Sequence, residues 1–412
     1  MTSGLGPRIA FTLGALLVYR LGTYIPLPGI EPSIWEQIFR TQGGGLLGMF
    51  NIFSGGGIHR MAILALNLTP FLSAAFLLQL AMIVSKRLKA FWRGDERGRQ
   101  RIVAYTRYLT LLLAVFQAYG IARGLEAVPR LVSDPGWLFR LSTVVLLAGG
   151  TMFLVWLSEL ITARGIGNGI ALIFLAGIVA QLPAAIASTI ELGRQGALSS
   201  NLILGVFILT AVATAFVVFM EQARRRLPIQ YAPRQVGTRM LGGQGALSLK
   251  LNGSGLIPAI VAPWLVLVPV TVINYTAGPY SWIVHTRQLT PGHPLYVALS
   301  ALATVVCAFL YTAFLLGPEE VAETLQKQGG VLDGVEPGEA TADYVDGVVS
   351  RITLIGGLYL VVVLLLPEIL IAYAEVPFYF GGMSLLIVVC AIMDIEAQVR
   401  GHALIRSRGE TP

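Results

Sequence analysis

Long apolar stretches, nearly free of charge, alternate with short polar stretches along the whole chain. A bilayer core of about 30 Å needs about 20 mostly apolar residues per helix. Ten runs meet that description, near 8 to 27, 61 to 85, 104 to 124, 138 to 160, 168 to 190, 200 to 221, 255 to 277, 294 to 316, 352 to 373 and 377 to 399. Inside lipid every backbone polar group must be satisfied within the protein, and the residue-by-residue alternation of a membrane barrel is missing. The runs therefore predict helices, and the expected fold class is all-α, a polytopic membrane protein with ten transmembrane helices. The first run opens at Arg8 and reaches Pro26 without a small-residue cleavage site, so it is expected to remain as a membrane helix and not to be removed as a signal peptide.

Composition sharpens this picture. Of 412 residues, 55% are hydrophobic and only 12% charged, with a mean hydropathy of +0.73, too apolar for a soluble surface. A formal charge of +7 invites a nucleic-acid reading, yet the basic residues sit between apolar runs and not along one face. Their distribution orients the chain instead. With the N-terminus inside, 21 of the 29 basic residues fall on the inner side and 8 on the outer, which is the bias expected of cytoplasmic loops. Both termini are then cytoplasmic, in a bacterium-like cell. The two cysteines, Cys307 and Cys390, lie inside apolar runs and read as small core hydrophobes.

Five runs precede the segment near 191 to 200 and five follow it, giving halves of 1–190 and 191–412. An odd number per half inserts the second half upside down, which permits an inverted repeat. The second helix of each half carries an early proline, in Asn67-Leu68-Thr69-Pro70-Phe71-Leu72 and Gly255-Leu256-Ile257-Pro258-Ala259-Ile260. Interruptions at matching places point to a central site, although prolines are also simply common in membrane helices. Two inner segments, 222 to 250 and 318 to 350, are long enough to protrude. An outer segment at 43 to 60 has glycine triplets on both sides of an apolar centre too short to span; it reads as re-entrant, interfacial or a plain loop.

Enzymatic chemistry is hard to place. His59, His285, His293 and His402 are dispersed, no metal-ligand spacing emerges, and Gly165-Ile166-Gly167-Asn168-Gly169 lacks both the strand and the Lys-Ser/Thr of a phosphate loop. No catalytic residue, metal or cofactor is expected. A secondary transporter is the stronger rival, since inverted repeats with broken helices suit it. Coupled transport usually leaves ionisable groups at membrane depth, and the helix centres here have none. Sodium coupling through backbone carbonyls escapes that test.

The stretches Phe50-Asn51-Ile52-Phe53-Ser54-Gly55-Gly56, Tyr105-Thr106-Arg107-Tyr108, Arg164-Gly165-Ile166-Gly167-Asn168-Gly169-Ile170, Gly255-Leu256-Ile257-Pro258-Ala259-Ile260 and Pro377-Phe378-Tyr379-Phe380-Gly381-Gly382 resemble motifs of the SecY family, in the family's order, from the first helix to the tenth. That resemblance implies a protein-conducting channel in the bacterial plasma (inner) membrane. Two inverted five-helix halves would enclose an hourglass pore closed by a plug and a ring of apolar side chains, and opening sideways to membrane lipid. The segment 46–58, with Leu47, Met49, Phe50, Ile52 and Phe53, matches the plug. The pore ring would be Leu68, Leu72, Phe174, Ile260 and Ile387, with Phe174 standing where the family usually has isoleucine. An apolar constriction dewets and blocks ions while yielding to a passing chain. The polar candidates for the lateral gate are Ser73, Gln79 and Asn252; a plain helix-packing role suits them as well.

The resemblance also implies partners: the membrane subunits SecE and SecG, the motor SecA, the ribosome, and signal peptides and nascent chains. Hydrolysis belongs to the motor, so no nucleotide site is needed here. Arg234 and Arg239 match cytosolic docking positions. Glu336 departs from the family, which usually has a basic residue at that loop tip. Because ribosomal RNA contacts depend on neutralising phosphates, docking is expected to lean on 222–250, with the acidic loop facing a basic patch of a protein partner.

Overall fold

The computed structural model describes residues 5–42, 46–196, 198–231, 234–236, 239–241, 244–262, 265, 293–374 and 381–407. The apolar runs fold as helices: α1 (Leu5–Gly22), α4 (Thr69–Val84), α6 (Glu96–Glu126), α7 (Trp137–Arg164), α8 (Gly169–Arg194), α9 (Ser200–Gln222), α10 (Pro294–Leu315), α12 (Glu339–Ala374) and α13 (Gly382–Ser407). Shorter helices join them: α2 (Pro32–Gln42), α3 (Leu46–Phe53), α5 (Lys86–Arg93) and α11 (Pro318–Gln328). Seven helices among the described residues are long and apolar enough to cross a membrane. Of the expected seventh span, only 255–262 and 265 are described, with 257–262 helical; the rest of that span, and residues 375–380, lie outside the described residues.

Two compact units emerge. One takes the described residues up to Thr210 together with His293 and 366–407, so α13 belongs with the N-terminal helices; the other takes 211–265 and Pro294–Leu365. In the first unit α6 shows how sequence dictates packing. Gly98, Ile102, Thr106, Thr110, Ala114, Ala118 and Ala122 recur every fourth residue and are buried. Small residues let α4 and α7 approach closely, the usual device where lipid removes any hydrophobic force between helices. The threonine hydroxyls turn back onto their own helix, Thr106 to the Ile102 carbonyl at 2.9 Å and Thr110 to that of Thr106 at 2.7 Å. The opposite face carries the bulky side chains Tyr108, Leu112 and Phe116, all exposed, an inside-out pattern suited to lipid.

The expected span at 61 to 85 is corrected: its helix begins only at Thr69 and has 16 residues. Residues 61–68 are an irregular run in which Met61 (φ 46°) and Asn67 (φ 50°) adopt left-handed backbone. Its backbone is satisfied by neighbours, with Leu27 N–H donating to Met61 at 2.9 Å, Ile63 to Ile25 at 2.9 Å and Ala62 to Gly57 at 2.7 Å. Gly150 on α7 admits it, since a Cβ there would stand 2.3 Å from the Ile63 carbonyl oxygen. Ala62, Leu64 and Leu68 are apolar because they are buried in protein, which is the condition for non-helical backbone at membrane depth.

In the second unit the expected loops 222–250 and 318–350 hold regular structure. Strands β1 (Arg224–Tyr231), β4 (Gln244–Lys250) and β5 (Gly330–Leu332) form an antiparallel sheet in the order β4-β1-β5. The register runs from Arg224 opposite Lys250 to Gln230 opposite Gln244, with Ile229 opposite Leu332. A hairpin of β2 (Arg234–Val236) and β3 (Arg239–Leu241) lies between β1 and β4 in sequence. The inward residues Leu227, Ile229, Leu249 and Leu332 share a core with Leu325 of α11 and Val345, Val349 and Ile352 of α12. At 36 residues, α12 measures about 54 Å, well beyond a bilayer core of about 30 Å. Its first turns therefore belong to the sheet's core and the remainder to the expected ninth span.

Candidate functional site

Of the segment at 43 to 60, expected on the outer side, the described residues 46–60 form a short helix followed by tight turns in the first unit. The side chains of Leu47, Met49 and Phe50 lie outside the described residues. Ile52 is half-buried and Phe53 is buried. Beyond α3 the chain reverses through a set of local bonds. The Asn51 side-chain oxygen accepts the His59 N–H at 2.8 Å, and the Ser54 hydroxyl accepts that of Ile58 at 3.2 Å. Trp35 of α2 donates its indole N–H to the Ile58 carbonyl at 3.0 Å. From the irregular run before α4, Asn67 donates its amide to the Phe53 carbonyl. Its left-handed backbone turns that side chain toward α3, a conformation asparagine tolerates better than most residues.

Phe53 meets Phe174 of α8 edge-on, with ring centroids 6.1 Å apart and planes at 85°, a favoured aromatic geometry. A residue expected in the plug thus touches one expected in the ring. Leu68, Phe174 and Ile387 are each no more than 3% exposed. Leu72, one turn after Leu68, is half-buried and donates its N–H to the Leu68 carbonyl at 3.0 Å. Ile260 lies in the other unit, half-buried in the helical stretch 257–262. The ring candidates of the first unit, Leu68, Leu72, Phe174 and Ile387, are all apolar.

The gate candidates separate by environment. Ser73 donates to the Thr69 carbonyl within its own helix at 3.0 Å. Gln79 has a buried side-chain oxygen without a hydrogen-bond partner among the described residues. Asn252 is 4% exposed and organises the approach to the seventh span. Its oxygen accepts from the Ser254 hydroxyl at 3.0 Å and the Gly255 N–H at 3.1 Å, while its amide donates to Glu221 of α9 at 2.7 Å. Glu221 also accepts the Tyr359 hydroxyl of α12 at 3.2 Å. In the sequence Glu221 stands at the end of an apolar run, with nothing to mark these partners.

The docking candidates lie in the second unit. Arg234 pairs with Leu241 and Arg239 with Val236 across the β2–β3 hairpin; their side chains lie outside the described residues. Glu336 is exposed in the turn between β5 and α12, where its carbonyl accepts the Thr341 hydroxyl at 2.6 Å. Beside it Asp333 accepts from Gln230 of β1 at 3.2 Å. Among the described residues no group of three His, Cys, Asp or Glu side chains is placed to hold a metal.

Comparisons with known proteins converge. The family model described as SecY matches residues 62–396. The protein translocase subunit SecY of Escherichia coli strain K12 is 47% identical over 400 residues, covering 95% of this chain and 90% of that relative. Among solved structures, one concerns the plug domain of SecY, described as stabilising the closed state of the translocation channel and maintaining a membrane seal. It superposes with a TM-score of 0.63 at 17% identity, covering 98% of this chain and 94% of that one. Sec61 in a canine ribosome-channel complex from the endoplasmic reticulum superposes with a TM-score of 0.62 at 16% identity, over 98% and 94%.

Proposed function

The chain belongs to the SecY family, and from that premise we propose that it is a protein-conducting channel. It passes unfolded secretory proteins across a membrane and releases transmembrane segments sideways into lipid. The observation that carries the reading is the 47% identity extending over 95% of the chain. The transporter reading is not favoured, since full-length relatives are translocase subunits.

The proposed closed state is supported by the edge-on contact of Phe53 with Phe174. The α3 segment is the plug, seated against Phe174, and Leu68, Leu72, Phe174, Ile260 and Ile387 form the ring. Such a constriction excludes ions because water leaves a narrow apolar neck, and it holds no translocating side chain tightly. A nascent chain displaces α3 and takes its place in the ring, so the seal needs no binding chemistry specific to sequence. Ser73, Gln79 and Asn252 belong to the lateral gate, with Asn252 fixing where the seventh helix begins. The chain itself catalyses no bond change; a motor or the ribosome supplies the work.

The proposed setting is the bacterial plasma (inner) membrane, with both termini, 222–250 and 318–350 in the cytoplasm. SecE and SecG are the expected membrane partners, and SecA and the ribosome the expected cytosolic ones, a reading supported for the ribosome by the canine Sec61 relative. Depletion of the protein followed by pulse-labelling tests the function. Uncleaved secretory precursors are expected to accumulate; normal export with altered small-solute uptake would instead support a transporter.

A further inference from the structure

Two arginines on the outer side have no role in the reading so far. Arg20 ends α1, and Arg60 follows the turns after α3. Their guanidinium carbons lie 4.8 Å and 4.0 Å from the centroid of one ring, that of Tyr24. Two like charges over one aromatic ring repel, so both need other partners. Arg20 donates to the Gly55 carbonyl, to the Thr23 hydroxyl at 3.4 Å and to the Tyr24 hydroxyl at 2.9 Å. Arg60 donates to the Gly56 carbonyl at 3.2 Å and the Thr23 carbonyl at 3.5 Å. No ion pair involves either arginine among the described residues. Backbone oxygens directly after α3 therefore receive both cations.

The glycines make this approach possible. Gly55 (φ 65°) and Gly56 (φ 85°) adopt backbone that side chains rarely allow. A Cβ on Gly55 would stand 3.1 Å from the Gly177 Cα and 3.2 Å from Arg20 Nη1. On Gly56 it would stand 2.4 Å from Gln181 Nε2 and 2.8 Å from Arg60 Nη1. The end of α3 is thus held on one side by α8, at Gly177 and Gln181, and on the other by α1 and the turn at Tyr24.

We propose that Arg20, Arg60 and Tyr24 form a clasp that grips the Gly55 and Gly56 carbonyls and holds α3 in its closed seat. They are positioning residues, and opening requires the two guanidiniums to let go together. The inference rests on reading α3 as the plug. It assigns the closed state's stability partly to charge-assisted bonds at the outer lip, in addition to the apolar contacts of Phe53.

The test uses Ser54→Cys as a reporter in the full chain, with Cys307→Ala and Cys390→Ala, in right-side-out membrane vesicles. Ser54 is 1% exposed, so a membrane-impermeant thiol reagent labels it slowly while α3 is seated. Arg20→Gln and Arg60→Gln are each expected to speed labelling roughly tenfold, equivalent to ~1.4 kcal/mol. Arg60→Lys is expected to fall between, since lysine keeps charge and loses the planar fork. Tyr24→Ala is expected to speed labelling and Tyr24→Phe, which keeps the ring face, to do so less. Thr143→Cys, equally buried on α7, serves as a control. Unchanged labelling of residue 54 in both glutamine variants overturns the clasp, as does an equal rise at residue 143, which would mean general loosening. Deletion of 46–53 with resting ion conductance as the readout separates the two readings. A rise in conductance there with no effect of the glutamine variants refutes the clasp alone, and no rise refutes the plug and the clasp with it.

Discussion

The Phe53–Phe174 contact yields a prediction with a definite sign. Truncating either ring to alanine removes a buried phenylalanine, which costs about 3–5 kcal/mol in a well-packed core. In the proposed opening α3 is displaced without unfolding, so most of that loss is expected to appear as easier displacement of α3. Each single variant also loses the edge-on pair, worth about 0.5–1.5 kcal/mol beyond area burial. The double variant loses that pair only once. Its effect is therefore expected to fall short of the sum of the singles by about 1 kcal/mol, close to fivefold in the open-to-closed ratio. The assay is resting ion conductance of the reconstituted channel for Phe53→Ala, Phe174→Ala and both. Additivity within about 0.3–0.5 kcal/mol, the range for sites that do not touch, would refute the coupling of plug to ring.

Other predictions follow from the remaining elements. Glu126 has a side chain only 8% exposed, accepting from Arg140 at 2.7 Å and from the Gly136 N–H at 3.0 Å, so Glu126→Ala is expected to lower stability by about 1–3 kcal/mol; an unchanged unfolding midpoint in detergent would contradict it. For orientation, an impermeant thiol reagent applied to intact cells is expected to label Ser200→Cys and spare Arg234→Cys, and the reverse pattern would invert the topology. Arg234→Glu combined with Arg239→Glu is expected to weaken ribosome binding and flatten its salt dependence, measured by co-sedimentation over a salt series. Glu336→Arg should leave that binding nearly unchanged, and a strengthening larger than the loss from the arginine reversals would show that the acidic turn is the main docking face.

Helices were legible because the requirement for about 20 apolar residues is local and needs no partner. The irregular run at 61–68 was not, since protein interior and lipid select the same side chains; only the left-handed Met61 and Asn67 and the open space at Gly150 distinguish them. The sheet was hidden for a different reason. Arg224, Arg225 and Arg226 dominate β1 by charge, while its inward signal is two residues, Leu227 and Ile229, and β5 arrives about a hundred residues later as three residues. Ring, plug and gate positions came from the family resemblance alone, because each is an ordinary apolar or amide residue whose role depends on what faces it. Arg20 and Tyr24 carry no pattern that ties them to Arg60, tens of residues further on, until the turns after α3 bring the three together.

The long α12 gives the second unit a mechanical property. Val345, Val349 and Ile352 are locked into the same core as β1, β4 and β5, and the same unbroken helix continues toward Ala374. Between that core and Tyr359 the chain is helical throughout, so a push on the strands is expected to be carried along α12 as far as Tyr359; further on, Pro367 removes one backbone donor inside the helix and makes a place for a bend. At Tyr359 the hydroxyl meets Glu221 of α9 and, through that carboxylate, Asn252 at the foot of the seventh span. Leverage applied to the sheet is thus expected to reach that foot through two hydrogen bonds that converge on one carboxylate.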